Sequence, residues 1–208
     1  VAVGAHTAAA HLTEEQLTFL QTVVPPALDS ARAFDLPACI IVAQAILESA
    51  GRVNGEWQWG GSPLFVHAHN PFAIKYAHRQ GEPYGEYTCH AVEMAGGKPV
   101  ETLAEFQLFE NLKQAFNAHA ALLLGARYRP AIAVRHDWRK FAEELMMCGY
   151  STDRPPLCQI PGCPHYSGKL IALVERYHLD DPQTLEGYAK GKAPVPQITQ
   201  ITQVTGKG

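Results

Sequence analysis

Glu48 stands near the end of IIVAQAILESA (Ile40–Ala50), a run whose other side chains are almost all apolar. Read as a helix, Ile40, Ile41, Val42, Ala43, Ala45, Ile46 and Leu47 leave nearly no polar face, so the segment should be buried all round. Gln44 and Glu48 are the exceptions, and at i and i+4 they share one stripe. A carboxylate on the only polar stripe of a buried helix must face a partner, water or a cleft. Its place at the helix C-terminus sets it against the negative end of the macrodipole. Burial beside Ile46 and Leu47 disfavours the charge further, so both effects raise the carboxyl pKa. A carboxylic acid that keeps its proton near neutral pH can act as a general acid. The competing reading is a Glu that reaches solvent or pairs with a cation such as Lys75.

Cleavage of a glycosidic bond usually calls for a second carboxylate across the sugar. Glu93 is the first candidate, with Glu86, Glu82 and Glu56 behind it; each could equally be a solvated surface charge. Trp57, Trp59, Phe72, Tyr76, Tyr84 and Tyr87 crowd one polar stretch. Such side chains stack on the C–H faces of sugar rings, or they anchor a loop to the core, and about half should do the latter. His67, His69, His78 and His90 lack the HExxH or paired CxxC spacing of a metal site, so no metal is expected. Cys89 or Cys148 paired with a His has no local signature of a nucleophile, and the chain has no Gly-rich phosphate loop.

These residues need elements to hold them. Thr13–Gln16 (TEEQ) has capping-box spacing and opens a first helix, which Pro25-Pro26 should interrupt or kink. Asp35 and Pro37 are start signals for the Glu48 helix, and Gly51 is its stop. From Arg52 to Gly85 the periodicity is lost, which predicts a long functional loop. Alternating runs on either side of Gly96-Gly97 predict a β-hairpin with Glu93 close to the turn. Helices follow over 111–124, 137–148 and 165–178. After Asp181 the chain turns polar and ends in QITQITQVTGKG, which reads as a tail or linker. The expected organisation is an arm over 1–12, a mainly α domain over 13–180 and a tail over 181–208.

Composition sets the outer limits. At 47% hydrophobic and 18% charged residues the 208-residue chain is globular in kind. A net charge of −3 without a basic run argues against a nucleic-acid partner. No stretch is apolar for the length of a membrane span, and the start shows no export signal. Cys39 and Cys148 fall in apolar helical patterns as small buried hydrophobes. Cys158 and Cys163 flank QIPG and are spaced either to close a short disulfide or to stay free, and the odd count of five leaves at least one free thiol.

Taken in order, AQAILES (Ala43–Ser49), NPFAIK (Asn70–Lys75), the hairpin Glu93, EFQLFEN (Glu105–Asn111) and GYSTD (Gly149–Asp153) resemble the β-N-acetylglucosaminidase domain of glycoside hydrolase family 73, over roughly residues 13 to 180. The resemblance implies a lysozyme-like fold, a helical core with a small β-lobe beside a substrate cleft. It implies Glu48 as the acid that protonates the leaving oxygen, Glu93 as the acidic residue that positions or activates water, and Tyr150 as a side chain at the catalytic centre. Asn70 and Phe72 would shape the groove floor, with Tyr76, Tyr87, Trp57 and Asp153 as further substrate contacts. The chain departs from the family pattern at Ala50-Gly51-Arg52, at Pro71 and Ala73 where Leu and Gly are usual, and in the longer Cys-bearing segment after Asp153. The expected activity is endo-acting hydrolysis of peptidoglycan glycan strands after N-acetylglucosamine, without a cofactor and as a monomer. Export follows from that substrate. A lytic transglycosylase of the same fold and a wall-binding module without turnover are the alternatives.

Overall fold

A computed structural model describes residues 11–78, 83–95, 98–153 and 164–193. Helix α1 (Glu14–Phe34) opens on the expected capping box: the Gln16 N–H donates to Thr13 Oγ1 (3.2 Å) and the Thr13 N–H to Gln16 Oε1 (3.1 Å). The expected break or kink at Pro25-Pro26 does not divide the helix, which runs as one segment through both. Val23, Val24, Ala27 and Ala31 are buried around the prolines. That packing outweighs the lost backbone donors, a tertiary override of a local breaker. Asp35 ends α1 in the left-handed region (φ 54).

Helix α2 (Ala38–Ser49) is the centre of the molecule. Every residue from Cys39 to Ile46 is buried, and α1, α6 (Trp138–Met147) and α7 (His165–Tyr177) pack around it. Each fully buried Ile or Leu contributes about 1.5–3 kcal/mol, so the cost of carrying Gln44 and Glu48 on this helix is well covered. The helix ends because Ala50 is extended (φ −62, ψ 138). Gly51 instead lets two backbones pass closely. A Cβ there would lie 2.4 Å from the Gly61 carbonyl carbon, so the approach is possible only at a glycine.

The predicted loop from 52 to 85 is more regular than its composition suggests. It holds a short antiparallel pair, β1 (Gly51–Val53) with β2 (Glu56–Gln58), and helix α3 (Pro63–Ala68) capped by Ser62. Short polar strands and a six-residue helix fall below the length at which periodicity is legible. The hairpin stands as expected: β3 (Gly85–Ala95) pairs antiparallel with β4 (Lys98–Leu108), with Ala95 opposite Lys98 at the tip. Helix α4 (Leu112–Leu123) packs on α1, and α5 (Arg129–Ala133) leads into α6.

One expected boundary changes. Residues 182–189 are not tail: α8 (Pro182–Ala189), capped by Asp181, lies against α1 with Leu185 and Tyr188 buried. The Tyr188 hydroxyl donates to the Tyr177 carbonyl (3.0 Å), closing the phenol's polar end inside the core. Among the described residues no helix is long and apolar enough to cross a membrane. The result is a mainly α, lysozyme-like body with, among the described residues, two small antiparallel sheets.

Candidate active site

Glu48 sits at the last turn of α2, partly exposed, while Gln44 one turn before it is fully buried. The Gln44 Nε2 amide donates to the Tyr166 hydroxyl (3.0 Å). Tyr166, in the first turn of α7, is hydrogen-bonded in turn to the Glu48 carboxyl. Because its oxygen already accepts from Gln44, its own O–H is the group left for Glu48. The polar stripe of α2 is thus one chain, Gln44 to Tyr166 to Glu48.

Burial pushes the Glu48 carboxyl above its ordinary value of 4.5, against smaller opposing pulls from the Tyr166 hydrogen bond and the positive charge of Lys169. Lys169, not Lys75, is therefore the cation that acts on Glu48. Its Nζ is held 2.5 Å from Asp153 Oδ2, while Lys75 lies over the Phe106 ring, 4.3 Å from its centroid.

Tyr150 reaches the site through the end of α6. Gly149 takes φ 78, its N–H donates to the Met146 carbonyl (2.9 Å), and the Tyr150 N–H donates to Leu145 (3.0 Å). This is the Schellman arrangement, which needs glycine at the left-handed position. Arg127 clamps the same turn, donating from Nε to the Cys148 carbonyl (2.7 Å) and from its terminal nitrogen to the Gly149 carbonyl. The Tyr150 ring stacks on Tyr166, centroids 5.4 Å apart and 24° from parallel. Burial and then the nearby Glu48 charge push its phenol well above 10.0, and burial leads likewise for Tyr166. Both phenols therefore stay neutral beside the Glu48 carboxyl.

Phe72 is buried and its ring lies flat against His119, 3.8 Å between centroids. His119, from α4, meets the Tyr150 hydroxyl at 3.1 Å through Nε2. Asn70 is wholly buried and spent on backbone. Its amide donates to the carbonyls of Ile74 (3.0 Å) and Gln107 (2.9 Å) and accepts from the Ile74 N–H (3.0 Å). It ties the segment around Ile74 to β4, with its side-chain amide engaged by backbone groups.

Ala73, within that segment, sits at φ 50. The left-handed region costs a non-glycine residue about 1–2 kcal/mol, which accounts physically for the glycine usual there. Ala73→Gly is expected to raise the urea midpoint with an unchanged m-value; an equal or lower midpoint would show that the turn carries no strain.

The remaining candidates are more scattered. Asp153 is mostly buried, and its carbonyl accepts from the Tyr166 N–H (2.9 Å), so it braces the start of α7 as well as Lys169. Tyr87 stacks on His67 with centroids 6.3 Å apart, and Tyr76 is half-buried against His78 at 4.9 Å. Trp57 projects from β2, 68% exposed, with Arg52 beside it. Trp59 and Tyr84 serve as anchors, Trp59 against Phe19 and Tyr177 and Tyr84 against Phe109. Glu93 occupies β3 opposite Val100. Cys158 and Cys163 lie outside the described residues, where Cys39, Cys89 and Cys148 are free. Sequence reasoning missed Tyr166, His119 and Lys169. Tyr166 and Lys169 act on Glu48 from α7, and His119 meets Tyr150 from α4; all three are over seventy residues from Glu48, with no local spacing to mark them.

Residues 24–179 match the glucosaminidase family model, described as mannosyl-glycoprotein endo-β-N-acetylglucosaminidase. The chain belongs to the glucosaminidase family. It is 33% identical over 180 residues to the peptidoglycan hydrolase FlgJ of Pseudomonas aeruginosa, covering 85% of this chain and 39% of that protein. It is 27% identical over 179 residues to the exo-glucosaminidase LytG of Bacillus subtilis, covering 81% and 54%. This glucosaminidase chain therefore spans about half or less of the length of these relatives. Among solved structures, a peptidoglycan hydrolase mutant from Sphingomonas sp. A1 superposes with a TM-score of 0.58 at 26% identity, over 82% of this chain and 98% of the other. The catalytic domain of a Listeria monocytogenes autolysin shares the fold, with a TM-score of 0.58 at 22% identity over 85% and 90%. The glucosaminidase assignment agrees with the resemblance to a glycoside hydrolase family read from the motifs.

Proposed function

We propose that this chain hydrolyses peptidoglycan as a β-N-acetylglucosaminidase that cuts within glycan strands. Glu48 is the general acid, and the observation that carries this is a carboxyl whose proton affinity burial raises, backed by the Gln44–Tyr166 donor chain. In the proposed step the protonated Glu48 gives its proton to the leaving glycosidic oxygen as the C1–O bond breaks. The Tyr166 O–H then stabilises the carboxylate that forms. Glu93 is the proposed carboxylate that positions the incoming water, with the sugar's own acetamido group as the other source of assistance. Trp57, Tyr76 and Tyr87 are the proposed sugar-stacking surface, and the enzyme acts as a monomer exported to the wall.

Mass spectrometry of the sugar ends released from purified peptidoglycan tests the reaction. Internal cuts yielding reducing N-acetylglucosamine ends on fragments of many lengths are expected. Release of single sugars from strand ends would give the chain an exo mode instead. Anhydro-muramyl ends would make it a lytic transglycosylase, and wall bound without new ends would make it a binding module. Glu93→Gln decides between the two forms of assistance. A fall in kcat of about 10²-fold or more is expected from loss of a carboxylate base, whereas unchanged turnover would assign the assistance to the acetamido group.

A further inference from the structure

His119 is a fully buried histidine that the acid chemistry at Glu48 does not require. Its ring plane is held on one side by Phe72, 3.8 Å away and within 10° of parallel. One ring nitrogen, Nε2, lies 3.1 Å from the Tyr150 hydroxyl. The other, Nδ1, is buried and finds no hydrogen-bond partner among the described residues. A neutral imidazole has one N–H and one bare nitrogen, and the fold must choose which faces Tyr150. A buried N–H with no acceptor is rarer than an unused lone pair. The proton therefore belongs on Nε2, where it has an acceptor, and the bare nitrogen is the unpartnered one.

We infer that His119 is a positioning residue: by donating its Nε2–H to the Tyr150 oxygen, it keeps Tyr150 a hydrogen-bond donor toward the Glu48 side of the site. With its oxygen occupied by an incoming N–H, the Tyr150 O–H has to point away from His119. The same polarity operates at the neighbouring phenol, where the Gln44 amide feeds Tyr166 and leaves the Tyr166 O–H for Glu48. Two stacked phenols are thus each supplied by a buried N–H. Both present protons where negative charge develops during proton transfer, and neither needs to reorient at that moment. Burial pushes the His119 imidazole down to about 3, which keeps it neutral through this cycle. The opposite tautomer would reverse the phenol and face its lone pairs toward a forming carboxylate.

The inference rests on Glu48 as the acid, and its test separates the two. Nitrogen-15 shifts of the imidazole in the wild-type chain, assigned by loss of the signal in His119→Gln, report the tautomer without reference to activity. The expected result is a neutral ring protonated at Nε2 from about pH 5 to pH 8. Protonation at Nδ1, or an imidazolium in that range, would overturn the inference whatever the chain does to wall. In turnover of peptidoglycan, His119→Phe is expected to lower kcat roughly 10–100-fold with little change in KM. His119→Gln, whose amide nitrogen can take the place of Nε2, should recover to within about fivefold. In a Tyr150→Phe background, His119→Phe should cost almost nothing more. A loss equally large in that background, or a Gln variant as poor as Phe, would show that His119 acts by packing alone. Wild-type chain that releases no sugar ends would instead sink the proposed function, leaving the tautomer measurement to decide His119.

Discussion

Glu48→Gln is expected to lower kcat on purified peptidoglycan by about 10²–10⁴-fold, with KM nearly unchanged, because glutamine keeps the shape and loses the transferable proton. Wild-type turnover in this variant would remove Glu48 from the mechanism. The same substitution carries a second, opposite expectation for stability. The folded carboxyl binds its proton more tightly than the unfolded one, because burial disfavours its charge. Between the unfolded value of 4.5 and the raised folded value the native state therefore holds more protons, and stability falls as pH rises. Glu48→Gln abolishes that loss. Its Tm should exceed that of the wild type at neutral and alkaline pH, with the advantage fading below the ordinary carboxyl value. An inactive variant that is also less stable at pH 8 would mean that the carboxylate is well solvated and that burial does not prepare the acid.

Tyr166→Phe is the second large expected effect. The ring still packs against Tyr150, so the loss is confined to one hydroxyl. That hydroxyl stabilises the Glu48 carboxylate, and removing a donor of this kind costs roughly 10²–10³-fold in kcat. The Tyr166 hydrogen bond also opposes the upward push on Glu48. Without it the carboxyl stays protonated to higher pH, so the alkaline limb of the pH–kcat profile should move up. The Gln44 amide, fully buried, loses the hydroxyl that accepts from it. An unsatisfied buried group costs about 1–3 kcal/mol, readable as a lower urea midpoint. A slower enzyme with an unmoved alkaline limb would assign Tyr166 to architecture rather than to the acid. The pH profile is the decisive readout because a purely structural defect would lower the whole curve without shifting it.

The proposed acid was legible in the chain because helical periodicity is a local property. Seven apolar residues between Ile40 and Leu47 and two polar ones a turn apart require a buried helix with one polar stripe, whatever surrounds it. The capping box at Thr13, the β3–β4 hairpin, the helix carrying His119 and the helix that ends before Tyr150 follow from equally short-range chemistry. So does the Schellman turn at Gly149, which determines that Tyr150 leaves α6 at a fixed place. What tertiary structure alone decided is where those elements meet. α1 runs through Pro25 and Pro26 because its flanks are buried, and α8 joins the domain because Leu185 and Tyr188 find a surface on α1. Lys169 replaces Lys75 as the cation near Glu48 because α7, and not the floor segment, brings its charge there. Tyr166 and His119 became functional candidates for the same reason. A hydrogen bond between residues 122 positions apart, as from Gln44 to Tyr166, leaves no trace in local spacing. Its existence depends on how α2 and α7 pack, and only that packing sets Tyr166 and the charge of Lys169 beside the acidic residue of the apolar helix.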